Sequence, residues 1–186
     1  MKRLKLMVVT AATSALSGCV TLEPFPENLE TGMAQVSNSE PNCFPYEKNV
    51  EEGVYLKTYC AGFYPPSLSD NGVEGKCGAR LDILPDGSTK VHQVACNVGR
   101  DIIVRRTSGG LTESEHTIAR QMFKASTLAA IKGFEFILDP ISHPDGRANT
   151  VFPMDFFLEG GGSAADALPV MEELDDERVI YKRQPE

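Results

Sequence analysis

Five cysteines are the residues of this chain whose types and spacing point most directly to chemistry. The first, Cys19, directly follows Leu16, Ser17 and Gly18. A leucine, two small residues and a cysteine in this order form a bacterial lipobox, in which the thiol is lipidated once an export signal has been cleaved before it. We therefore predict that Cys19 becomes the lipid-anchored N-terminus of the mature protein.

Residues 1–18 have the composition of the lipoprotein signal peptide that such a site requires. Three basic residues precede a short apolar run that begins at Leu6, and this run is too short for a typical membrane-spanning helix. An uncleaved anchor or a cytoplasmic N-terminus is the alternative. Val20 stands where many bacterial lipoproteins retained in the inner membrane carry Asp. The expected location is therefore the cell envelope, facing the periplasm and anchored in the outer membrane.

A β-hairpin is predicted around the turn residues 85–87, a Pro-Asp-Gly sequence between two strand-like runs. Counting outward from this loop pairs Ile83 with Thr89 and Leu81 with Val91. Beyond Val91 the apolar alternation of the second strand breaks step. One additional residue in that strand, a β-bulge, would bring the same face back into register.

That bulge also determines the pairing of two cysteines. If it absorbs His92 or Gln93, Cys77 lies opposite Cys96, at a Cα separation of about 4.5–5.5 Å that a disulfide accepts. Two buried free thiols are the alternative. An even number of remaining cysteines in an oxidising compartment favours two bonds, and elimination pairs Cys43 with Cys60.

Metal and catalytic sites are not predicted, and no cofactor is expected. His92, His116 and His143 occur singly, and the cysteines lack the CxxC spacing of zinc sites. Asp82 and His92 form the nearest acid–histidine pair, on neighbouring strands, and we interpret them as a surface contact. No motif places a nucleophile beside a histidine, so the chain is predicted not to be an enzyme.

Charge and composition define the partners and the domain organisation. The net charge of −8, which becomes −11 once Lys2, Arg3 and Lys5 leave with the signal, makes nucleic acid an unsuitable partner. Residues 19–42 are rich in Pro, Glu, Asn and Ser, which is typical of a flexible tether. One domain is predicted over 43–159, and a Gly-rich linker and acidic tail, with transient helix over 169–181, over 160–186.

One helix and one further strand complete the predicted domain. Thr112 and Glu115 have capping-box spacing, an apolar stripe follows, and Gly133 ends the helix. The last strand is predicted over 149–158. Its Pro153 cannot donate to a ladder, so the strand either lies at the edge of the sheet or begins effectively at Met154.

These residues together resemble the C-terminal domain of TonB-type energy transducers, over about half of the chain. The resemblance lies in an ordered set of positions: Tyr64, Pro65, Gly75, Leu81, Ile83, Asp86, Gly87, Val91, Val94, Phe123, Ala125, Ala129, Ala130, Phe134, Phe136, Pro140 and Phe156. It implies an α+β fold in which a β-hairpin, a helix and a final edge strand form a small antiparallel sheet. An α+β domain that shares this pattern by chance is the alternative.

The resemblance also implies a function, in which the final strand accepts an extended segment of a receptor by β-strand addition. The residues implied in that contact are Asn149, Thr150, Val151, Met154, Asp155, Phe156, Phe157 and Leu158. Because pairing must skip the missing donor of Pro153, the contact is expected mainly over 154–158. The expected partner is an outer-membrane receptor or another envelope protein, or a second copy of the chain through the same edge.

The chain also departs from a full energy transducer. A transducer carries an uncleaved transmembrane helix and a long Pro-rich spanning segment, whereas this sequence predicts a lipid anchor and a short tether. We therefore expect a TonB-like binding module in outer-membrane transport that is not itself the energiser. A structural envelope lipoprotein that binds peptidoglycan or a secretion scaffold is the alternative.

Overall fold

The structure, a computed structural model, describes residues 22–98, 111–158, 171–174 and 179–181. The predicted signal peptide, Cys19 and residues 160–170 lie outside the described residues. The helices and strands are α1 (Leu29–Ser37), β1 (Asn42–Glu51), β2 (Val54–Ala61), α2 (Pro66–Asp70), β3 (Gly75–Ile83), β4 (Thr89–Val98), α3 (Glu113–Ile131), β5 (Glu135–Leu138), β6 (Arg147–Phe156), β7 (Met171–Leu174) and β8 (Val179–Tyr181). The strands form an α+β architecture with antiparallel sheets ordered β1-β2-β5, β4-β3-β6 and β7-β8.

The β3–β4 hairpin has the register predicted from its turn. The pairing steps from Arg80 opposite Gln93 to Leu81 opposite Val91, so His92 is the extra residue of a β-bulge. Gly87 has a φ of 83° in the connecting loop, which suits a residue without a Cβ. Cys77 lies opposite Cys96 and is bonded to it, with a Cα–Cα distance of 4.0 Å. The bulge and the disulfide are both confirmed.

Helix α3 covers one face of this hairpin and begins as predicted. The Thr112 side chain accepts from the Glu115 N–H, and the Glu115 carboxylate accepts from the Thr112 N–H at 2.8 Å. The ring of Phe123 packs in the core against Phe156, with 4.6 Å between centroids. A Cβ on Gly75 would lie 2.6 Å from the Phe123 ring, so the absence of a side chain there lets the helix approach β3.

Strand β6 pairs with β3 on the side opposite β4, which makes it an edge strand. It begins at Arg147 and ends at Phe156, two residues earlier at each end than the predicted 149–158. The ladder between β3 and β6 contains a bulge near the start of β6. Leu81 pairs with Thr150 and Ile83 pairs with Arg147, so two residues of β3 match three of β6, and the pairing continues to Arg147. Asn149 within this bulge has a φ of 56°, a conformation that Asn tolerates better than most residues.

The cysteine-bounded segment before the hairpin forms the second sheet. β1 and β2 are joined by a tight turn at Gly53, and β5 pairs with the other side of β2. Cys43 and Cys60 are directly opposed and bonded, which confirms the second predicted disulfide. The Gly87 carbonyl accepts from the Phe136 N–H at 3.0 Å, so the loop of one sheet is tied to a strand of the other.

The segment predicted as a flexible tether, 19–42, contains helix α1 packed on α3. Asn28 caps this helix by accepting from the Thr31 N–H, and Val36 is buried. A Cβ on Gly32 would lie 2.8 Å from the Met122 sulfur, so the two helices are in close contact. The tether interpretation rested on polar composition, which does not detect a short helix stabilised by packing rather than by propensity.

The acidic tail also differs from expectation, because β7 and β8 pair where transient helix was predicted. Val179 and Ile180 are β-branched residues that favour strands. Among the helices of the described ranges, none combines the length and apolar character needed to cross a bilayer.

Candidate functional site

The open side of β6 is the part of the predicted site that the fold brings to the surface. Within the described residues one side of the strand is paired, with β3, and the other is open; Pro153 lies opposite Gly78 in that ladder. A proline is tolerated there when its nitrogen faces away from the neighbouring strand, since no N–H is then lost from the ladder. Backbone directions alternate along a strand, so this orientation turns the N–H groups of Val151 and Asp155 toward the open side.

The predicted site residues divide into two groups by the direction of their side chains. Met154 and Phe156 are each 3% exposed and belong to the core, so only their backbone is near a partner. The Val151 side chain is 37% exposed. The remaining predicted residues of β6 and of the segment after it are exposed or half-buried: Asn149, Thr150, Asp155, Phe157 and Leu158.

Both ends of the edge are held in place by side chains of β3 and its flanks. At the start, the Asn149 N–H donates to the Asp82 carboxylate at 2.9 Å, and Asp82 also pairs with His92 at 2.6 Å. Beyond the last residue of the strand, the Leu158 N–H donates to the Glu74 carboxylate at 3.0 Å. The Asp82–His92 pair predicted from sequence is therefore present, and it positions the start of β6.

The two carboxyl groups nearest the edge have opposite pKa shifts. The pKa of Asp82 is lowered, first by the Asn149 N–H and then by the His92 side chain. The pKa of Asp155 is raised because the group is partly buried, and the nearby Lys76 ammonium offsets this only in part. The open edge thus has one carboxyl group that favours its charged form and one that resists it.

A cleft of about 470 Å³ lies between β6 and the other sheet. Three consecutive residues of β6 form one wall, and residues of β1 and β2 form the other. The lining residues are Phe44, Tyr46, Lys48, Asn49, Val50, Leu56, Tyr59, Val151, Phe152 and Pro153. Its lining is mainly apolar with a few polar groups, which is the usual character of a binding cleft.

Aromatic contacts give this cleft a defined shape. The Tyr59 ring lies 5.3 Å from Phe134, and Phe134 lies 5.0 Å from Phe152 on β6, measured between centroids. Phe44 and Tyr46 pack on the other side of Tyr59, at 5.5 and 5.4 Å. At one end, Arg147 of β6 forms an ion pair with Glu51 of β1, which links the two walls.

The β1 wall was not predicted from sequence as part of the site. The signal was nonetheless present, since Phe44, Tyr46 and Lys48 alternate along a segment that ends before the turn residue Gly53. What sequence does not show is that this hairpin folds back beside β6. That placement follows from the Gly87–Phe136 contact and the packing of the two sheets.

The three histidines lie in separate places. His92 contacts Asp82, the His143 ring contacts the Glu52 carbonyl at 2.9 Å, and His116 is on α3. Across residues 22–98, 111–158 and the two tail strands, no three His, Cys, Asp or Glu side chains are grouped as a metal site.

Comparison with known proteins assigns no family to this chain and no role to this site. Comparison with protein-family models, with curated proteins and with solved structures finds no match for the chain. The open edge of β6 and the adjacent cleft are the surface features that a functional interpretation has to explain.

Proposed function

We propose that this protein is a membrane-anchored periplasmic binding module that resembles TonB C-terminal domains and acts in TonB-dependent outer-membrane transport. It binds an extended segment of an outer-membrane receptor, or of another envelope protein, as an additional strand on β6. The observation that carries this proposal is that, in the described part of the chain, β6 is paired with β3 on one side and open on the other, beside an apolar cleft.

The chemistry of that edge suits strand addition. An added strand gains affinity from backbone hydrogen bonds and selectivity from the side chains that alternate along it. Val151 and Asp155 supply N–H donors on the open side, whereas Pro153 supplies an acceptor alone. Because Asp82 and Glu74 hold both ends of the strand, little conformational freedom is lost when a partner binds.

The two disulfides are consistent with an oxidising compartment such as the periplasm. Lipidation at Cys19 would then hold the domain close to its membrane. The Glu23 N–H donates to Asp70 and its carbonyl accepts from Asn71, so three residues separate Cys19 from the folded domain. At about 3.5 Å for each of the four steps from Cys19 to Glu23, the connection spans at most roughly 14 Å, so the partner segment has to come close to the membrane surface.

In-cell photo-crosslinking tests the proposal. A photo-reactive amino acid replaces Val151 on the open edge, and in a matched control it replaces Tyr55, which is 46% exposed on a strand paired on both sides. Capture of an outer-membrane receptor from Val151 but not from Tyr55 is expected. Capture of only peptidoglycan-associated or secretion proteins would favour the structural envelope role. Capture of the chain itself would show self-pairing, and no specific capture would remove the proposal.

A further inference from the structure

The cleft beside β6 has a second wall that strand addition at the edge does not require. Residues of β1 and β2 form this wall, and three of its large apolar side chains are well exposed: Phe44 at 39%, Tyr46 at 38% and Val50 at 37%. Together with Val151 they form a contiguous exposed apolar surface. Such surfaces on a soluble domain commonly mark a binding site.

The occupant of this surface has to satisfy two kinds of group at once. The β6 wall presents a backbone side that no described strand pairs with, and this side needs hydrogen-bond donors and acceptors at peptide spacing. The β1 wall presents aromatic rings, which favour a large apolar side chain. An extended polypeptide meets both needs, because its backbone pairs with β6 while one row of its side chains enters the cleft.

The charge of the cleft lining further restricts the chemical class of the ligand. Among the described residues that line the cleft, Lys48 is the cationic one, and its side chain makes no hydrogen bond or ion pair with the described part of the chain. Tyr46 also lines the cleft, although the pairing of β1 with β2 has a register irregularity between Pro45 and Lys48. A bound strand whose apolar side chain packs on Tyr46 would therefore place a nearby carboxylate within reach of Lys48.

We infer that the cleft is a specificity pocket for the strand bound at β6, and that it selects a segment with a bulky apolar residue and an acidic residue close to it in sequence. This inference rests on the proposed function, because the peptide backbone is held by β6. It adds the chemical class of the ligand. It also makes β1 part of the binding site, together with the Cys43–Cys60 bond that holds β1 in place.

The test places photo-crosslinkers at Val151 and, in a separate strain, at Tyr46, in the full chain expressed in cells. We expect both positions to capture the same partner segment, which mass spectrometry maps to a sequence with a bulky apolar residue and an acidic residue close to it. Tyr46→Ser should lower capture from Val151 about tenfold, and Lys48→Glu about threefold. Matched controls are Tyr55→Ser, on the adjacent strand outside the cleft, and Lys132→Glu, at the end of α3. Both controls should leave capture unchanged.

The outcomes separate the pocket from the proposed function. Capture from Val151 that is absent from Tyr46, and is unaffected by both cleft variants, would overturn the pocket and leave strand addition at β6 standing. Absence of capture from both positions would overturn the two proposals together. Capture of a second copy of the chain would overturn the proposed partner segment and show that the cleft takes part in self-association. Resistance to periplasmic protease checks that Tyr46→Ser and Lys48→Glu remain folded.

Discussion

The two three-stranded sheets carry disulfides of nearly the same size and geometry in different surroundings. Cys43–Cys60 and Cys77–Cys96 have Cα–Cα distances of 3.9 and 4.0 Å and sequence separations of 17 and 19 residues. Cys77 and Cys96 are buried beneath α3, on strands of which β3 is paired on both sides. Cys60 is also buried, but Cys43 lies on β1, an edge strand whose residues are nearly all exposed.

Loop entropy alone does not distinguish these bonds. Closing either loop stabilises the folded state by about 3 kcal/mol in the chain-entropy model. The difference lies in what else holds the strands: β3 and β4 are also held by α3 and the core, whereas among the described strands β1 pairs with β2 alone. One bond therefore reinforces a packed core, and the other holds a wall of the cleft in place.

The largest effect is predicted for a substitution in the core between α3 and the β4-β3-β6 sheet. Phe123 is fully buried and contacts Tyr64 and Phe156, so Phe123→Ala should lower the free energy of unfolding by about 3–5 kcal/mol. Urea denaturation with both disulfides oxidised measures this. The control, Leu128→Ala, changes a residue of the same helix that is 37% exposed and should cost less than about 1 kcal/mol. Equal costs would show that α3 is not packed as described.

Removing each disulfide sharpens the comparison of the two sheets. Cys77→Ala with Cys96→Ala should lower global stability by about 3 kcal/mol, because the bond lies within the cooperative core. Cys43→Ala with Cys60→Ala should have a smaller global effect and should chiefly increase hydrogen exchange of the β1 amides. Denaturation and amide exchange are measured on both variants. Unchanged protection of β1 without Cys43–Cys60 would contradict the role given to that bond.

A smaller effect is expected where the two sheets meet. Gly87 has a positive φ, and a Cβ there would lie 2.0 Å from the Phe136 carbonyl oxygen, so Gly87→Ala should displace β5 from the hairpin loop. We expect a loss of about 2 kcal/mol in the free energy of unfolding, with increased exchange of the Phe136 amide. A wild-type denaturation midpoint would show that the sheets do not meet at this contact.

The smallest effects come from the two carboxyl groups of the edge, and they have opposite signs. The folded pKa of Asp82 is lowered, so its contribution to stability is present above about pH 4 and is lost as the pH falls through the folded pKa. Asp82→Asn should therefore destabilise at pH 7 and have little effect at pH 2.

The folded pKa of Asp155 is raised, so the native state retains a proton that the unfolded state has lost, and stability falls as the pH rises above about 4. Asp155→Asn should therefore stabilise the protein at pH 7 and leave it unchanged at pH 3. Urea midpoints at these pH values compare both variants with the wild type. Destabilisation by Asp155→Asn at pH 7 would show that its contact with Lys76 outweighs burial.

Much of the β4-β3-β6 sheet could be predicted because the sequence signals for it are local. The Pro-Asp-Gly loop sets the register of β3 and β4, the displaced apolar alternation locates the bulge at His92, and Thr112 with Glu115 marks the start of α3. The other sheet gave weaker signals, since β1 carries Pro45 and a register irregularity. Helix α1 was missed because its stability comes from close packing against Met122, a residue distant in sequence.

The sequence by itself determined the β3–β4 pairing, the capped helix and the Cys77–Cys96 bond, because turn chemistry, capping and alternation act between residues close along the chain. The Cys43–Cys60 bond followed from these by elimination. Only the tertiary structure decided that β1 folds back beside β6 to form a cleft between them. That arrangement depends on contacts such as Gly87 with Phe136 and Glu51 with Arg147. Residues separated by about 50 to 100 positions meet only when the whole core packs, so no local pattern encodes them.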